Sequence, residues 1–406
     1  MAKLGAVADL VSSNVDKKAR KGELPVRLIN YTDVYYGSVL TPDMEYMLAT
    51  AAPGQIERVG VKDGDVIFTK DSEAPDDIGI PALVREPEED MVCGYHLTIA
   101  RPRRSVVEPS YLYWYLCSAM AKNYWEQTAN GVTRFSIGYS ATTALPIALP
   151  PMEKQRAIAD YLDRETAEID AMSADLDEIE KLLTERRRAT ITAAFNQGLS
   201  TAPLWRFATV SPSTPGIYDL EKGEAATFIP LEDVWTNQNP GSFTVVPWEK
   251  KMASYTHFQN RDVLLPKVTP TVTHGRAMVA RITTALGVVT SEVYTLRPDE
   301  KTNPDWLALF LITQTFLNEA GASVSGTGGL KRISTQFVQS FPVPDMNRAE
   351  QDELVEAVNR ETSETDAMLA DITELRDLLA ERRAAVIAAA VTGQIDIPAA
   401  EETTHA

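Results

Sequence analysis

Cysteine and histidine are scarce in this chain: its 406 residues include 2 Cys and only 4 His. Cys93 and Cys117 cannot build a disulfide framework or a four-cysteine zinc site, which points to a reducing, cytoplasmic setting with both thiols buried. The four histidines, His96, His257, His274 and His405, form no HExxH, and Cys93-Gly94-Tyr95-His96 lacks the second ligand pair a metal needs. No apolar run approaches the ~20 residues that cross a bilayer, so a soluble protein is expected. The basic cluster Lys17, Lys18, Arg20, Lys21 follows the short apolar N-terminal stretch, the reverse of a secretory signal. No GxGxxG opens a helix after a strand, no Gly-Lys-Ser/Thr is present, and no Asn/Asp-Pro-Pro-Tyr/Phe could serve amino-group methylation. These absences predict a binding protein without cofactor or metal of its own, not an enzyme.

Positive charge is also short, with 39 Lys+Arg against 57 Asp+Glu and a formal charge of -18. That balance counts against nucleic-acid binding, whose affinity comes largely from neutralising phosphates. The deficit is local, however. Residues 1–150 hold 15 basic and 19 acidic side chains and residues 201–345 hold 12 and 13, whereas 151–200 hold 7 and 11 and 346–406 hold 5 and 14. The acidity therefore belongs to two short segments, and the two larger ones are close to neutral.

Those segments repeat each other. At a shift of 196, Arg164-Glu165-Thr166 recurs as Arg360-Glu361-Thr362, and Leu182-Leu183-Thr184-Glu185-Arg186-Arg187 as Leu378-Leu379-Ala380-Glu381-Arg382-Arg383. From Arg164 to Arg187, 15 of 24 positions are identical. Weaker matches precede them in the same order: Gly64-Asp65-Val66-Ile67 with Arg261-Asp262-Val263-Leu264, and Gly131 to Ser136 with Gly329 to Ser334. Each half is a variable module followed by a closely repeated one. The division is 1–150 and 201–345 for the variable domains, 151–200 and 346–398 for the repeated segments, and 399–406 for a tail.

The repeated segment has helical periodicity. Ile158, Leu162, Ile169, Met172, Leu176, Ile179 and Leu183 form an a/d seam, answered in the second copy by Leu354, Val358, Met368, Ile372, Leu375 and Leu379. Prolines before and glycines after (Pro150-Pro151 and Gly198; Pro342, Pro344 and Gly393) supply the stop signs. Each helix should be about 40 residues, or about 60 Å long. One narrow apolar stripe cannot stabilise such a helix alone, so the two are expected to pair within the chain as an antiparallel coiled coil. Two unrelated surface helices, or a coiled coil between two chains, are the alternatives.

The variable modules combine strand and helix. Val66 to Phe68, Val263 to Leu265, Met278 to Ile282 and Val288 to Leu296 are predicted strands, Ser110 to Gln127 and Asp305 to Asn318 predicted helices. Each helix is followed by a Gly, Ser and Thr-rich loop, Thr128 to Thr133 or Gly321 to Gly329, and then by Arg134 or Lys331-Arg332. A small loop beside a guanidinium lets backbone approach a phosphate or base edge, although it serves equally as a plain connection. The fold class is α+β: two mixed domains separated by two long helices, with an internal pseudo-twofold repeat.

At this point the chain resembles the specificity (S) subunits of Type I restriction-modification enzymes. The resemblance rests on a variable domain, the segment Leu145-Pro146-Ile147-Ala148-Leu149-Pro150-Pro151-Met152-Glu153-Lys154-Gln155, a long helix ending near Leu182 to Arg187, and then the same order again. The second copy replaces the Pro-Pro-x-x-x-Gln junction with Pro344-Asp345-Met346-Asn347-Arg348-Ala349-Glu350-Gln351. The resemblance implies that each domain reads one half of a bipartite double-stranded DNA target while the coiled coil fixes the spacing. It also implies docking to two methyltransferase subunits that carry S-adenosylmethionine, and to restriction subunits that use ATP and Mg. Two similar domains held by a rod suit successive major grooves about one turn (~34 Å) apart.

Within that frame the candidate DNA contacts are Thr69, Lys70, Ser72 and Arg134 in the first domain, and Lys267, Thr269, Thr271, Arg276, Lys331 and Arg332 in the second. Arg and Lys suit guanine or phosphate oxygens, and Ser and Thr suit either. The rival expectation is a coiled-coil scaffold whose two modules bind proteins.

Overall fold

The computed structural model describes residues 1–196, 198, 200–214, 220–236, 243–326 and 331–398. The end of the Gly321 to Gly329 loop and the tail 399–406 lie outside the described residues. The chain divides into two compact units: residues 1–175 with 375–406, and residues 176–374. Both long helices cross this division, so each unit takes one stretch from each.

The helices run Met152–Phe195 and Arg348–Thr392, 44 and 45 residues. Neither contains Gly or Pro, and each carries a glutamate in its first turn, where the helix dipole favours negative charge. The second stops at Gly393, whose φ of +74° lets Gln394 N–H reach back to Ala389 O at 2.9 Å.

Within each unit the two helical stretches run antiparallel. In the first unit Lys154 pairs with Asp396 at 2.9 Å and Glu165 with Arg382 at 3.2 Å, so the partner's number falls as the helix advances. Ile158 and Leu162 share a core there with Ile387, Ala390 and Val391, and with Leu112 and Tyr115 of the domain. In the second unit Ile191 and Phe195 share one with Leu354, Val355 and Val358, and with Trp306 and Phe310. The helices thus pair within the chain and also close the domain cores.

The seam departs from its sequence assignment at four places. Ile158, Leu162, Ile169, Leu354, Val358 and Ile372 are buried, and Leu176, Leu183 and Leu379 are half-buried. Met172, Ile179, Met368 and Leu375 are instead exposed, between 37% and 47%. The line of burial passes one residue later, through Ser173 and Glu180 in the first copy and Leu369 and Arg376 in the second, and includes buried Thr166 and Thr362. Steps of three and four through Thr166, Ile169, Ser173, Leu176, Glu180 and Leu183 keep one stripe facing the partner whatever the residue types, and the four apolar residues flank it.

The domains share a strand plan. The first unit has a five-stranded sheet ordered Ala8–Ser12, Leu97–Pro102, Val66–Thr69, Pro81–Val84, Val39–Leu40; the second has Ala208–Val210, Val293–Pro298, Val263–Pro266, Met278–Val279. The middle strands, Val66–Thr69 and Val263–Pro266, are buried throughout. Just before each, an aspartate (Asp65 or Asp262) takes an Arg fork, Arg101 or Arg297, through Nε at 2.9 Å and Nη2 at 2.7 Å. At its start each domain pairs with its own end, Ala2–Lys3 with Pro146–Ile147 and Thr201–Pro203 with Pro342–Pro344.

Four expected elements are subdivided or shortened. Ser110 to Gln127 is two helices, Pro109–Cys117 and Ala119–Thr128, and the second-domain helix breaks likewise into Pro304–Leu311 and Gln314–Ser323. At the breaks the hydroxyls of Ser118 and Thr313 donate to Tyr115 O and Phe310 O, competing with helix continuation. Val288 to Leu296 is two strands in different sheets, Gly287–Val289 and Val293–Pro298, joined by a turn that contains Glu292. Met278 to Ile282 is a strand only at Met278–Val279.

The Pro-x-x-x-Gln junction has a physical reason. Gln155, 1% exposed, accepts from Glu108 N–H at 2.9 Å and donates to Pro150 O at 2.9 Å and Val106 O at 3.2 Å. Gln351 does the same in the second unit, accepting from Asn303 N–H at 2.7 Å and donating to Met346 O at 2.9 Å. The divergent second junction keeps the one side chain that clamps the long helix to the domain.

Candidate nucleic-acid interface

In the first unit the central strand Val66–Thr69 delivers Lys70 to the sheet's end. Its N–H donates to His96 O at 3.0 Å, and its carbonyl accepts from Ile137 N–H at 2.8 Å. The next two residues, Asp71–Ser72, pair with Phe135–Ser136, which brings Arg134 alongside. Arg134 donates to Asp71 Oδ1 through Nη2 at 2.6 Å, and His96 Nδ1 lies 2.9 Å from Asp71 Oδ2. The Asp71 hydrogen bond raises the Arg134 pKa against partial desolvation, so the guanidinium is a fixed cation. Asp71's side chain is only 14% exposed while Arg134's is 56% exposed, leaving the cation outward.

An aromatic shelf adjoins this group. The Tyr95 ring lies 3.6 Å from that of His96, and Tyr31 stacks on Tyr35 at 5.5 Å. Burial is the main cause raising the Tyr31 phenol's pKa, opposed by Ser72, with Asp77 and Asp71 adding to it. Tyr36 is 83% exposed. Flat faces beside fixed cations suit nucleic acid, since bases and sugars offer apolar faces next to phosphates.

In the second unit Lys267 occupies the same backbone station. Its N–H donates to Glu292 O at 2.8 Å and its carbonyl accepts from Ile333 N–H at 3.0 Å. Nζ donates to Ser291 O at 2.7 Å and sits 4.5 Å from the Tyr294 ring centre. Burial lowers the Lys267 pKa, with Glu292 opposing. Arg332 grips Glu292 in a two-toothed fork, Nε to Oε2 at 2.8 Å and Nη2 to Oε1 at 2.7 Å. That bond holds the Glu292 carboxyl below its usual range. Thr269 N–H donates to Lys331 O at 2.9 Å, so Lys267, Thr269, Lys331 and Arg332 come together.

The other candidates have different surroundings. Thr69 is fully buried, and its hydroxyl accepts from Ile80 N–H at 3.0 Å. Ser72 is 7% exposed, with its oxygen turned to Ala74 N–H. Both serve the strand end and not an outer surface, because each is buried. Thr271 opens the short turn Thr271–His274, and Arg276 lies flat on Trp235 at 3.6 Å, held by that ring instead of by the Lys267 group.

Sequence reasoning missed Asp71, His96 and Glu292, the partners that hold the guanidinium groups. His96 and Glu292 stand 196 apart, the repeat's own shift, which was the available signal. The match of Arg134 with Arg332 is out by two: Ile137 and Ile333 bond the equivalent lysines, so Ser136 is the backbone counterpart of Arg332. The two arginines reach equivalent stations from different positions. Among the described residues no group of three or more His, Cys, Asp or Glu could hold a metal, and no helix is long and apolar enough to cross a membrane.

Comparison with known proteins bears on what such a site serves. Residues 12–181 match the family model of the Type I restriction modification DNA specificity domain. The chain is 26% identical over 157 residues to the Type I restriction enzyme EcoAI specificity subunit of Escherichia coli, covering 37% of this chain and 27% of that protein. It is 24% identical over 309 residues to the EcoDI specificity subunit of the same organism, covering 64% of this chain and 65% of that protein. The chain thus spans about a quarter of the first of these relatives and just under two thirds of the second. A chain from a solved structure of complex assembly and conformational transition in a type I restriction-modification system superposes with a TM-score of 0.66 at 17% identity, covering 97% of both chains, and so shares this fold. Residues 12–181 therefore resemble the Type I restriction modification DNA specificity domain, and the chain as a whole shares the fold of a chain from a type I restriction-modification system.

Proposed function

We propose that this chain is the DNA-reading subunit of a Type I restriction-modification complex, each unit recognising one block of a bipartite double-stranded target. The observation that carries this is the recurrence of one station in both units: a lysine at the end of the buried central strand, beside a guanidinium tethered to a carboxylate. Because the tether differs, Asp71 with His96 in one unit and Glu292 in the other, the two blocks differ in sequence. The helices set the unread spacing between them.

Catalysis, S-adenosylmethionine, ATP and Mg belong in this reading to partner subunits: two methyltransferase subunits, and restriction subunits where the system has them. The exposed apolar residues beside the seam supply a docking surface. Met172, Leu375 and Leu378 are exposed in the first unit, and their repeat counterparts Met368, Ile179 and Leu182 in the second. One such set per unit fits one methyltransferase subunit per unit.

The test is co-expression with the cognate methyltransferase subunit in a methylation-free host, followed by genome-wide mapping of modified adenine. Modification confined to one split motif, and only when both proteins are present, is the expected result. A stable complex that modifies nothing would favour the scaffold reading.

A further inference from the structure

The second unit contains a cavity of about 610 Å³, walled by both long helices and by the Trp235 and His274–Arg276 segments of its domain. Three guanidinium groups line it, those of Arg187, Arg188 and Arg276, against the carboxylates of Glu180 and Asp366. That is a local excess of positive charge in a chain of formal charge -18.

Each arginine is oriented by a separate contact. Arg187, 9% exposed, donates through Nε to Asp366 Oδ1 at 2.5 Å, and its Nη2 has no acceptor. Arg188 donates through Nη2 to His274 O at 3.2 Å. Arg276 lies on the Trp235 indole at 3.6 Å, and its buried Nε also has no acceptor. Asp366 is engaged twice, by Arg187 and by the Thr362 hydroxyl at 3.2 Å. Buried guanidinium N–H groups ordinarily have partners, so two that lack one around a single cavity mark a place for an acceptor.

The internal repeat separates what is structural here from what is not. The first unit has the same ion pair, Arg383 with Asp170 at 2.5 Å, but Ala384 where the second has Arg188. The Arg187–Asp366 pair therefore belongs to the shared helix pairing. Arg188, and Arg276 on its tryptophan, are added in the second unit alone.

We propose that this cavity is an oxyanion site for a phosphate group, held by Arg187, Arg188 and Arg276. A tetrahedral phosphate presents several acceptors at once, and forked guanidinium donors suit it. The phosphate comes from a small phosphorylated ligand or from a DNA backbone, and the site stands whether or not the units read DNA sequence.

The experiment follows thermal unfolding of the full chain in inorganic phosphate against acetate at matched ionic strength. A saturable rise in Tm of roughly 2–4 °C with phosphate, absent with acetate, is expected. Arg188→Ala and Arg276→Ala, which leave the Arg187–Asp366 pair in place, should each lose it. A phosphate effect that persists with duplex bound assigns the site to a small ligand. One that duplex abolishes, or a salt slope of duplex binding that falls by about one in the variants, assigns it to a DNA phosphate. A phosphate effect without any duplex binding would sink the DNA reading and keep the site. The proposal is overturned by an equal effect of acetate, by an unchanged phosphate effect in both variants, or by no phosphate effect together with unchanged salt slopes.

Discussion

Arg332 shows how much a single contact changes the meaning of a residue. A free arginine at a loop end is a generic phosphate ligand, whereas one forked onto Glu292 is fixed in plane and partly neutralised. In the proposed reading its guanidinium would present Nη1 to a base edge while the carboxylate repels misplaced phosphates. Arg332→Ala should therefore cost about 1–3 kcal/mol at one block of the target and leave the other unchanged. Glu292→Gln should have the opposite signature: tighter binding to every duplex and weaker discrimination at that same block. Competition binding with duplexes altered in one block at a time separates the two. Gln155 makes the parallel case for stability. Its three hydrogen bonds join the long helix to the domain, so Gln155→Ala should lower stability by about 2–3 kcal/mol by denaturant unfolding.

At the level of elements, the helices test how far periodicity can be trusted. Apolar spacing placed both Ile169 and Ile179 in the seam, yet Ile169 is 2% exposed and Ile179 45% exposed. Ile169→Ala should cost about 2–4 kcal/mol, and Ile179→Ala less than about 0.5 kcal/mol. Ile179→Ala should instead weaken capture of the methyltransferase subunit, measured by titration of the two purified proteins. The pairing of the helices, their direction and their ends were legible because a 196-residue repeat, flanking prolines and closing glycines all agree. The register was not, because the seam is filled by Thr166, Ser173, Glu180 and Thr362, residue types that carry no hydrophobic signal. The candidate site was legible in part for a related reason. Basic residues after small loops stand out in sequence, but the burial of Thr69 and the choice of Asp71, His96 and Glu292 as partners depend on which strands meet. Those pairings join residues 63 and 40 apart in the chain.

For the whole molecule, chain order and structural membership disagree. The last helical turns, Ile387, Ala390 and Val391, belong to the core that contains Leu4, Tyr111 and Leu112 near the other end of the sequence. The first unit is therefore complete only when the second half of the chain has been made, and its stability depends on residues that follow the whole second domain. Val391→Asp places a charge at a position 3% exposed in that core. It should destabilise the first unit by about 3 kcal/mol or more. Hydrogen exchange should show lost protection in residues 1–150, with 201–345 protected as before. Equal loss in both domains would mean the units unfold together and that the division at residues 175 and 375 has no energetic meaning. Selective loss would mean that each domain has its own stability, completed by a helix pair drawn from both halves of the sequence. A chain built that way can change one domain without disturbing the core of the other, because none of the buried side chains of Ile387, Ala390 and Val391 belongs to the second domain's core.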